Sequence, residues 1–279
     1  GRQPLRAAQF SAARNRHIFS GKAYLCWQGG LVDWLQAWQP QALVVEANPR
    51  YLATPAAVRW MHARGRPVIG WGLGAPKPGG RLAGLKLALW RGFIRQFDAL
   101  IAYSTQGAAQ YRALGAPEQR VFVAPNAVAP RPAHPAPQRP PVFDAQGALL
   151  LFVGRLQTRK RLDVLLRACA GLPPESQPRL WIVGDGPARG ELQSLAQVVY
   201  PAAQFWGARH GAELEPLFAQ ADLFVLPGTG GLAVQQAMSY ALPVVVAEGD
   251  GTQADLVRPG NGWLAPPGDE AALRDILRQ

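Results

Sequence analysis

Residues 223–246 constrain the fold of this chain more than any other stretch. Leu223 to Leu226 is an apolar run that reads as a buried strand, and Pro227-Gly228-Thr229-Gly230-Gly231 breaks it. Leu232 to Ala241 then carries a helical apolar pattern, and Val244-Val245-Val246 opens a second buried strand. Adjacent glycines at a helix start let backbone N–H groups approach a ligand closely, and the helix N-terminus favours an anion. A phosphate is the natural guest of such a turn.

The same alternation runs through the chain and predicts parallel strands joined by crossover helices. Gly1 to Phe19 has no clear period and reads as partly ordered or as cut from something longer. Leu31, Trp34, Leu35 and Trp38 have helical spacing, Ala42 to Ala47 reads as a strand, Pro55 to Ala63 as a helix and Pro67 to Trp71 as a strand. Asp98 to Ser104, Gln106 to Leu114 and Arg120 to Ala124 continue as strand, helix and strand. Ala129 to Pro141 holds six prolines in thirteen residues, which resist helix and sheet alike and read as a semi-rigid linker. We therefore expect an N-terminal domain over 1–128, a linker over 129–147 and a C-terminal domain over 148–279. In the last of these, strands are expected at Ala148–Val153, Leu180–Val183, Gln204–Gly207 and Gly262–Leu264. Helices are expected at Leu162–Ala170, Ala188–Ala196 and Glu213–Ala219 and from Asp269. Five or six such units fit one doubly wound sheet, whose ligands bind beyond the carboxyl ends of the strands.

Charge separates the two halves. Residues 1–140 hold eighteen Lys/Arg against four Asp/Glu, residues 141–279 eleven against fourteen. A basic first half meets an anionic acceptor, anionic lipid or nucleic acid, or is simply an arginine-rich surface in water. The acidic-leaning second half and the absence of a recognisable module speak against nucleic acid. Residues 82–97 predict a helix with Arg81, Arg91 and Arg95 in one sector and Leu82, Leu85, Leu89, Trp90, Phe93 and Ile94 opposite. Such a helix either lies on an anionic membrane or packs on the sheet as an ordinary crossover. Cys26 and Cys169 show no metal-type spacing, and no run of eighteen apolar residues occurs, so a cytoplasmic protein is expected, peripheral at most to the inner face of a membrane.

Thr158 is positioned to cap the helix that follows, yet Arg159-Lys160-Arg161 would then put three positive charges in its first turn, the wrong sign for the helix dipole. A broken local rule of this kind marks either a functional loop or a solvated basic turn. With Arg155 nearby, Arg155 and Lys160 can clamp a diphosphate, one as a planar fork and one as a point charge. Val183-Gly184-Asp185-Gly186-Pro187-Ala188-Arg189-Gly190 is superficially similar to a dinucleotide fingerprint, but its third glycine comes one place late. The histidines at 17, 62, 134 and 210 have no metal spacing and no Asp-x-Asp pair occurs, so no metal site is expected.

Taken together, the 223–246 unit, the region from about Ala148 to Leu273 and, more weakly, Asp98 to Val128 resemble the family 4 glycosyltransferases. The resemblance implies an α/β fold of the GT-B type, with two Rossmann-like doubly wound parallel-sheet domains facing across a cleft. The first domain reads as short for its type, as in a truncated chain. It implies no cofactor beyond the donor substrate, a UDP- or GDP-linked nucleotide-diphosphate sugar. Arg155 and Lys160 become the catalytic pair on the diphosphate. Gly154, Gly184, Trp206, Gly207, Gly230, Gly231, Leu232 and Gln236 become the donor-binding set. Ser104 and Asn126 match the family's usual residues at the end of the first domain. The family usually carries two glutamates eight positions apart, and Gly228 and Gln236 stand at the aligned places; a glutamine amide can still hydrogen-bond a ribose, whereas glycine offers no side chain. The first-domain loop where many members have a histidine reads Gly72-Leu73-Gly74-Ala75-Pro76. The expected activity is retaining hexosyl transfer to a carbohydrate, polysaccharide or lipid-linked acceptor. The alternative is a nucleotide-sugar-binding partner subunit with little or no turnover.

Overall fold

A computed structural model describes residues 12–19, 25–75, 80, 82–127, 137 and 147–279. The chain divides into two compact units, Gly1–Pro125 and Asn126–Gln279. Nearly all of the proline-rich stretch, together with Arg81 and His134, lies outside the described residues.

In the first unit a four-stranded parallel sheet runs in chain order: β3 (Leu43–Glu46), β4 (Val68–Gly72), β5 (Ala99–Ala102) and β6 (Val121–Val123). Helices α2 (Thr54–His62), α3 (Ala83–Ile94) and α4 (Thr105–Ala113) make the crossovers, the arrangement of one half of a doubly wound sheet. One sheet face is core, with Leu43, Val68, Leu100 and Val121 buried, while Val44, Trp71 and Phe122 on the other face remain exposed. Ser104, fully buried, caps α4 by accepting the amide of Gly107 at 3.0 Å, so its role here is to start a helix.

Two features of this unit depart from expectation. Arg14–Ile18 (β1) and Leu25–Gly29 (β2) form an antiparallel pair, followed by α1 (Leu31–Trp38). The β1 sequence, Arg-Asn-Arg-His-Ile, is exposed throughout and so lacks the apolar alternation that reveals a half-buried strand. In α3, Phe93 and Ile94 are buried, and Leu87 and Trp90 pack against the core. Leu82, just before α3, and Leu85 and Leu89 within it are 58–65% exposed. The six apolar residues expected to share one side are thus divided between core and solvent.

The second unit is a six-stranded parallel sheet in the order β12-β11-β10-β7-β8-β9. The first half is β7 (Leu149–Val153), β8 (Arg179–Val183) and β9 (Ala203–Gly207), with α5 (Leu162–Ala170) and α6 (Arg189–Val199) between them. After α7 (Glu215–Gln220) the chain returns to the middle and builds β10 (Leu223–Leu226), α8 (Leu232–Ser239), β11 (Val244–Ala247), α9 (Thr252–Leu256) and β12 (Gly262–Ala265), closing with α10 (Glu270–Leu277). The order reverses between β7 and β10, the place where open α/β sheets bind ligands. All residues of β7 and β11 are buried, as strands covered on both faces must be.

Thr158 does not cap α5. Thr158–Lys160 form a separate 3-10 turn, Arg161 at φ 51° is the residue before the helix, and Asp163 supplies the acid in its first turn. The dipole rule is therefore obeyed, and the basic run belongs to the loop.

Leu165 is fully buried in the core of this unit. We expect Leu165→Ala to lower the stability of the second unit by about 2–5 kcal/mol, read as an earlier urea midpoint with an unchanged slope.

Candidate functional site

The carboxyl ends of β7, β8 and β9 are laced together by backbone. The amide of Gly154 donates to the carbonyl of Val183 at 2.9 Å, Leu156 to Asp185 at 2.9 Å, Ala188 to Leu156 at 3.1 Å and Gly184 to Gly207 at 2.8 Å. Gly184, at φ 144°, is packed so closely that an added Cβ would sit 1.9 Å from the carbonyl oxygen of Gly154. Only glycine allows that approach, and the three expected glycines at 154, 184 and 207 are brought together by it. Trp206 is the bulged residue of β9, opposite no partner between Phe205 and Gly207. Its ring lies against Trp181, centroids 4.8 Å apart, and is partly open to solvent.

At the switch point the loops after β7 and β10 are joined by a buried cation. The Lys160 ammonium donates to the carbonyl of Thr229 at 2.8 Å, and the Thr229 amide donates back to the carbonyl of Arg159 at 3.0 Å. Burial lowers the pKa of Lys160 from 10.5, the neighbouring Arg159 adds to this, and Asp250 opposes both. A Cβ placed on Gly230 would lie 3.5 Å from the Lys160 Nζ and 3.4 Å from the Arg159 Nη1. Gly231 precedes α8 and no side chain caps that helix. An ammonium, a guanidinium and an uncapped helix start thus converge on one point, an arrangement that favours an anion there.

The residues predicted from sequence divide accordingly. Lys160, Gly230, Gly231 and Leu232 meet at the start of α8. Arg155 is exposed and makes no hydrogen bond or ion pair among the described residues. Gln236 sits one turn beyond Leu232, with its backbone carbonyl accepting the Ser239 hydroxyl at 2.7 Å. Arg159 was not foreseen; nothing in a run of three basic residues says which one turns toward the glycines. Gly228 has a structural reason of its own: a Cβ there would stand 2.3 Å from the Arg159 carbonyl oxygen and 2.4 Å from the carbonyl carbon of Lys160.

The family profile described as "Glycosyl transferases group 1" matches residues 147–279, and that described as "Glycosyl transferase 4-like domain" matches 2–127. The chain belongs to the family 4 glycosyltransferases. A GDP-mannose-dependent alpha-mannosyltransferase of Mycobacterium tuberculosis is 41% identical over 131 residues, covering 45% of this chain and 32% of that protein. The putative colanic acid biosynthesis glycosyltransferase WcaL of Escherichia coli is 26% identical over 195 residues, covering 66% of this chain and 47% of that protein. The chain thus spans about a third to a half of these relatives. Among solved structures, Anabaena HepE in complex with UDP matches with a TM-score of 0.67 at 20% identity, covering 88% of this chain and 71% of that one. The lipopolysaccharide outer core galactosyltransferase WaaB matches with a TM-score of 0.66 at 20% identity, over 88% and 67%. These similarities establish the GT-B type fold, with two Rossmann-like units, for this family 4 member.

The lowered pKa of Lys160 gives a sign that can be tested. The unfolded chain holds this proton more tightly than the folded one, so the cost of the buried charge is full below the depressed folded value. It is relieved as pH rises from the depressed folded value toward 10.5. Lys160→Met removes that charge and should melt no lower than the parent at pH 7 without ligand, while losing the rise in melting temperature produced by a nucleoside diphosphate; parallel thermal scans with and without UDP and GDP check both.

Proposed function

We propose that this family 4 member is a retaining hexosyltransferase. It takes a hexose from a UDP- or GDP-linked sugar and passes it to a carbohydrate, polysaccharide or lipid-linked acceptor bound on the basic first unit. The observation that carries the reading is the convergence of Lys160, Arg159 and the uncapped start of α8 on Gly230. A diphosphate seated there has an ammonium and a guanidinium on one side and main-chain amides on the other. Arg155, exposed in the same loop, supplies a further fork. Gln236 takes the ribose hydroxyls, and the loop around Gly184, Trp206 and Gly207 takes the base.

In this reading the bond between the sugar and the β-phosphate oxygen breaks as the acceptor hydroxyl oxygen bonds to the same carbon from the same face. The hydroxyl proton passes to the departing phosphate. The chain supplies no nucleophile; its task is to stabilise charge growing on the leaving group against an oxocarbenium-like sugar. That the relatives include a GDP-mannose-dependent enzyme and a UDP complex supports both donor bases as candidates.

Titration of the chain with UDP, GDP and ADP is expected to raise its melting temperature with one of the uracil or guanine nucleotides, and purified protein given the matching sugar nucleotide is expected to transfer or hydrolyse it. No response to any of the three would remove the donor pocket. A second reading, a nucleotide-sugar-binding subunit without turnover, is favoured by Gly228, where no acid can stand. It predicts the melting shift without any release of nucleotide.

The outward stripe of Leu82, Leu85 and Leu89 supports a peripheral position on an anionic membrane. Lys86 lies on one side of this stripe and Arg91 and Arg95 on the other, and all three are exposed. Apolar residues between cations suit the boundary between headgroups and acyl chains. Leu85→Glu/Leu89→Glu should abolish co-sedimentation with phosphatidylglycerol vesicles and leave the nucleotide-induced melting shift intact; equal sedimentation of the variant would refute this role. Among the described residues no helix is long and apolar enough to cross a membrane.

A further inference from the structure

Outside the cradle around Lys160, a second cavity has the chemistry of a binding site. The β1–β2 hairpin and α1 enclose a groove of about 880 Å³, within the roughly 300–1,000 Å³ span of small-ligand sites. Trp27, Trp34 and Trp38 line it together with Arg14, Arg16 and Asp33. Its placement follows from the hairpin register. Arg14 and Arg16 are two apart on β1 and therefore share a face, and Trp27, paired with Arg16, shares it too. Trp34 and Trp38 are one turn apart on α1, with ring centroids 5.1 Å apart and planes at 32°. Gly29, paired with Arg14, leaves the floor without a side chain.

β2, which forms one wall of the groove, is tied to the loop that follows β3. Cys26 on β2 bridges in parallel to Tyr51, just past the carboxyl end of β3. The Cys26 amide donates to the Arg50 carbonyl at 2.8 Å, and the Leu52 amide donates to the Cys26 carbonyl at 2.9 Å. Two of the indoles remain open to solvent, Trp27 at 46% and Trp38 at 38% exposed.

We infer that this groove binds an acidic saccharide. Flat indole faces stack on the C–H faces of sugar rings, the Asp33 carboxylate accepts hydroxyl protons, and the two arginine forks take a carboxylate or phosphate carried by the sugar. Asp33 disfavours a polyanionic strand running along the groove, which separates this assignment from a single-stranded nucleic acid on an aromatic platform. As the acceptor site it rests on the transfer reading above; as a saccharide site it stands on the groove alone.

The test uses the full chain, with saturation-transfer NMR and titration calorimetry against a uronic-acid-containing chondroitin disaccharide, neutral lactose and a short oligothymidylate. The acidic disaccharide binds, and lactose binds at least about tenfold more weakly. Arg14→Ala/Arg16→Ala and Trp38→Ala each weaken the disaccharide by about tenfold. Trp38→Phe keeps an aromatic face and keeps most of the affinity. None of these variants changes the melting shift given by UDP or GDP, which shows that the fold and the donor cradle are intact. No disaccharide binding by a parent chain that still responds to nucleotide overturns the groove assignment and leaves the transfer reading standing. Disaccharide binding without a nucleotide response does the reverse. Tighter binding of oligothymidylate than of disaccharide, or affinity unchanged in the Arg14→Ala/Arg16→Ala and Trp38→Ala proteins, also overturns it.

Discussion

The buried ammonium of Lys160 is the point on which the second unit's site depends. It sits at the topological switch, where the loops from β7 and β10 diverge, and its bond to the Thr229 carbonyl joins them at 2.8 Å. The two loops come from opposite halves of the doubly wound sheet, and Gly228 lets their backbones pack closely. With the reciprocal bond from the Thr229 amide to Arg159 they become one surface, and the glycines before α8 are presented at fixed height beside two cations. Preorganised charge of this kind costs nothing to reorient when a substrate's own charge develops.

The same arrangement concentrates positive potential at one place. Burial pushes the Lys160 pKa down, Arg159 pushes it the same way, and only Asp250 counters them. The α8 N-terminus lacks a side-chain cap, so its amides add positive potential to the same spot. The local rules broken here are the ones that the proposed diphosphate would restore. By contrast, the rest of the unit obeys the rules closely, with β7 and β11 wholly apolar and Asp163 correctly placed at the start of α5.

Much of this was legible from residue order, and the failures have physical causes. Strands buried on both faces announce themselves as unbroken apolar runs, so Leu149–Val153, Leu223–Leu226 and Val244–Ala247 were readable. The β1–β2 pair was not, because a hairpin exposed throughout one strand carries no apolar alternation. Thr158 looked like a helix cap because the left-handed backbone of Arg161, which ends one turn and starts the next helix, leaves no compositional mark in a non-glycine residue. The periodicity of residues 82–97 gave amphipathicity but not the direction of the core, and two helix faces proved apolar. In the site, glycines at 154, 184, 207, 230 and 231 were visible as breaks, whereas the role of Arg159 depends on a turn that brings residues 159 and 230 together across the sheet.

Gly228 also fixes which residues this position can hold. Where the family resemblance places an acidic side chain, the loop after β7 fills the space such a side chain would need, its backbone within 2.3 Å of any Cβ built there. A side chain at this position therefore needs the neighbouring loop to withdraw first, and withdrawal would break the Thr229–Arg159 contact beside the cations. Position 228 is thereby held to glycine for as long as the two loops keep this contact.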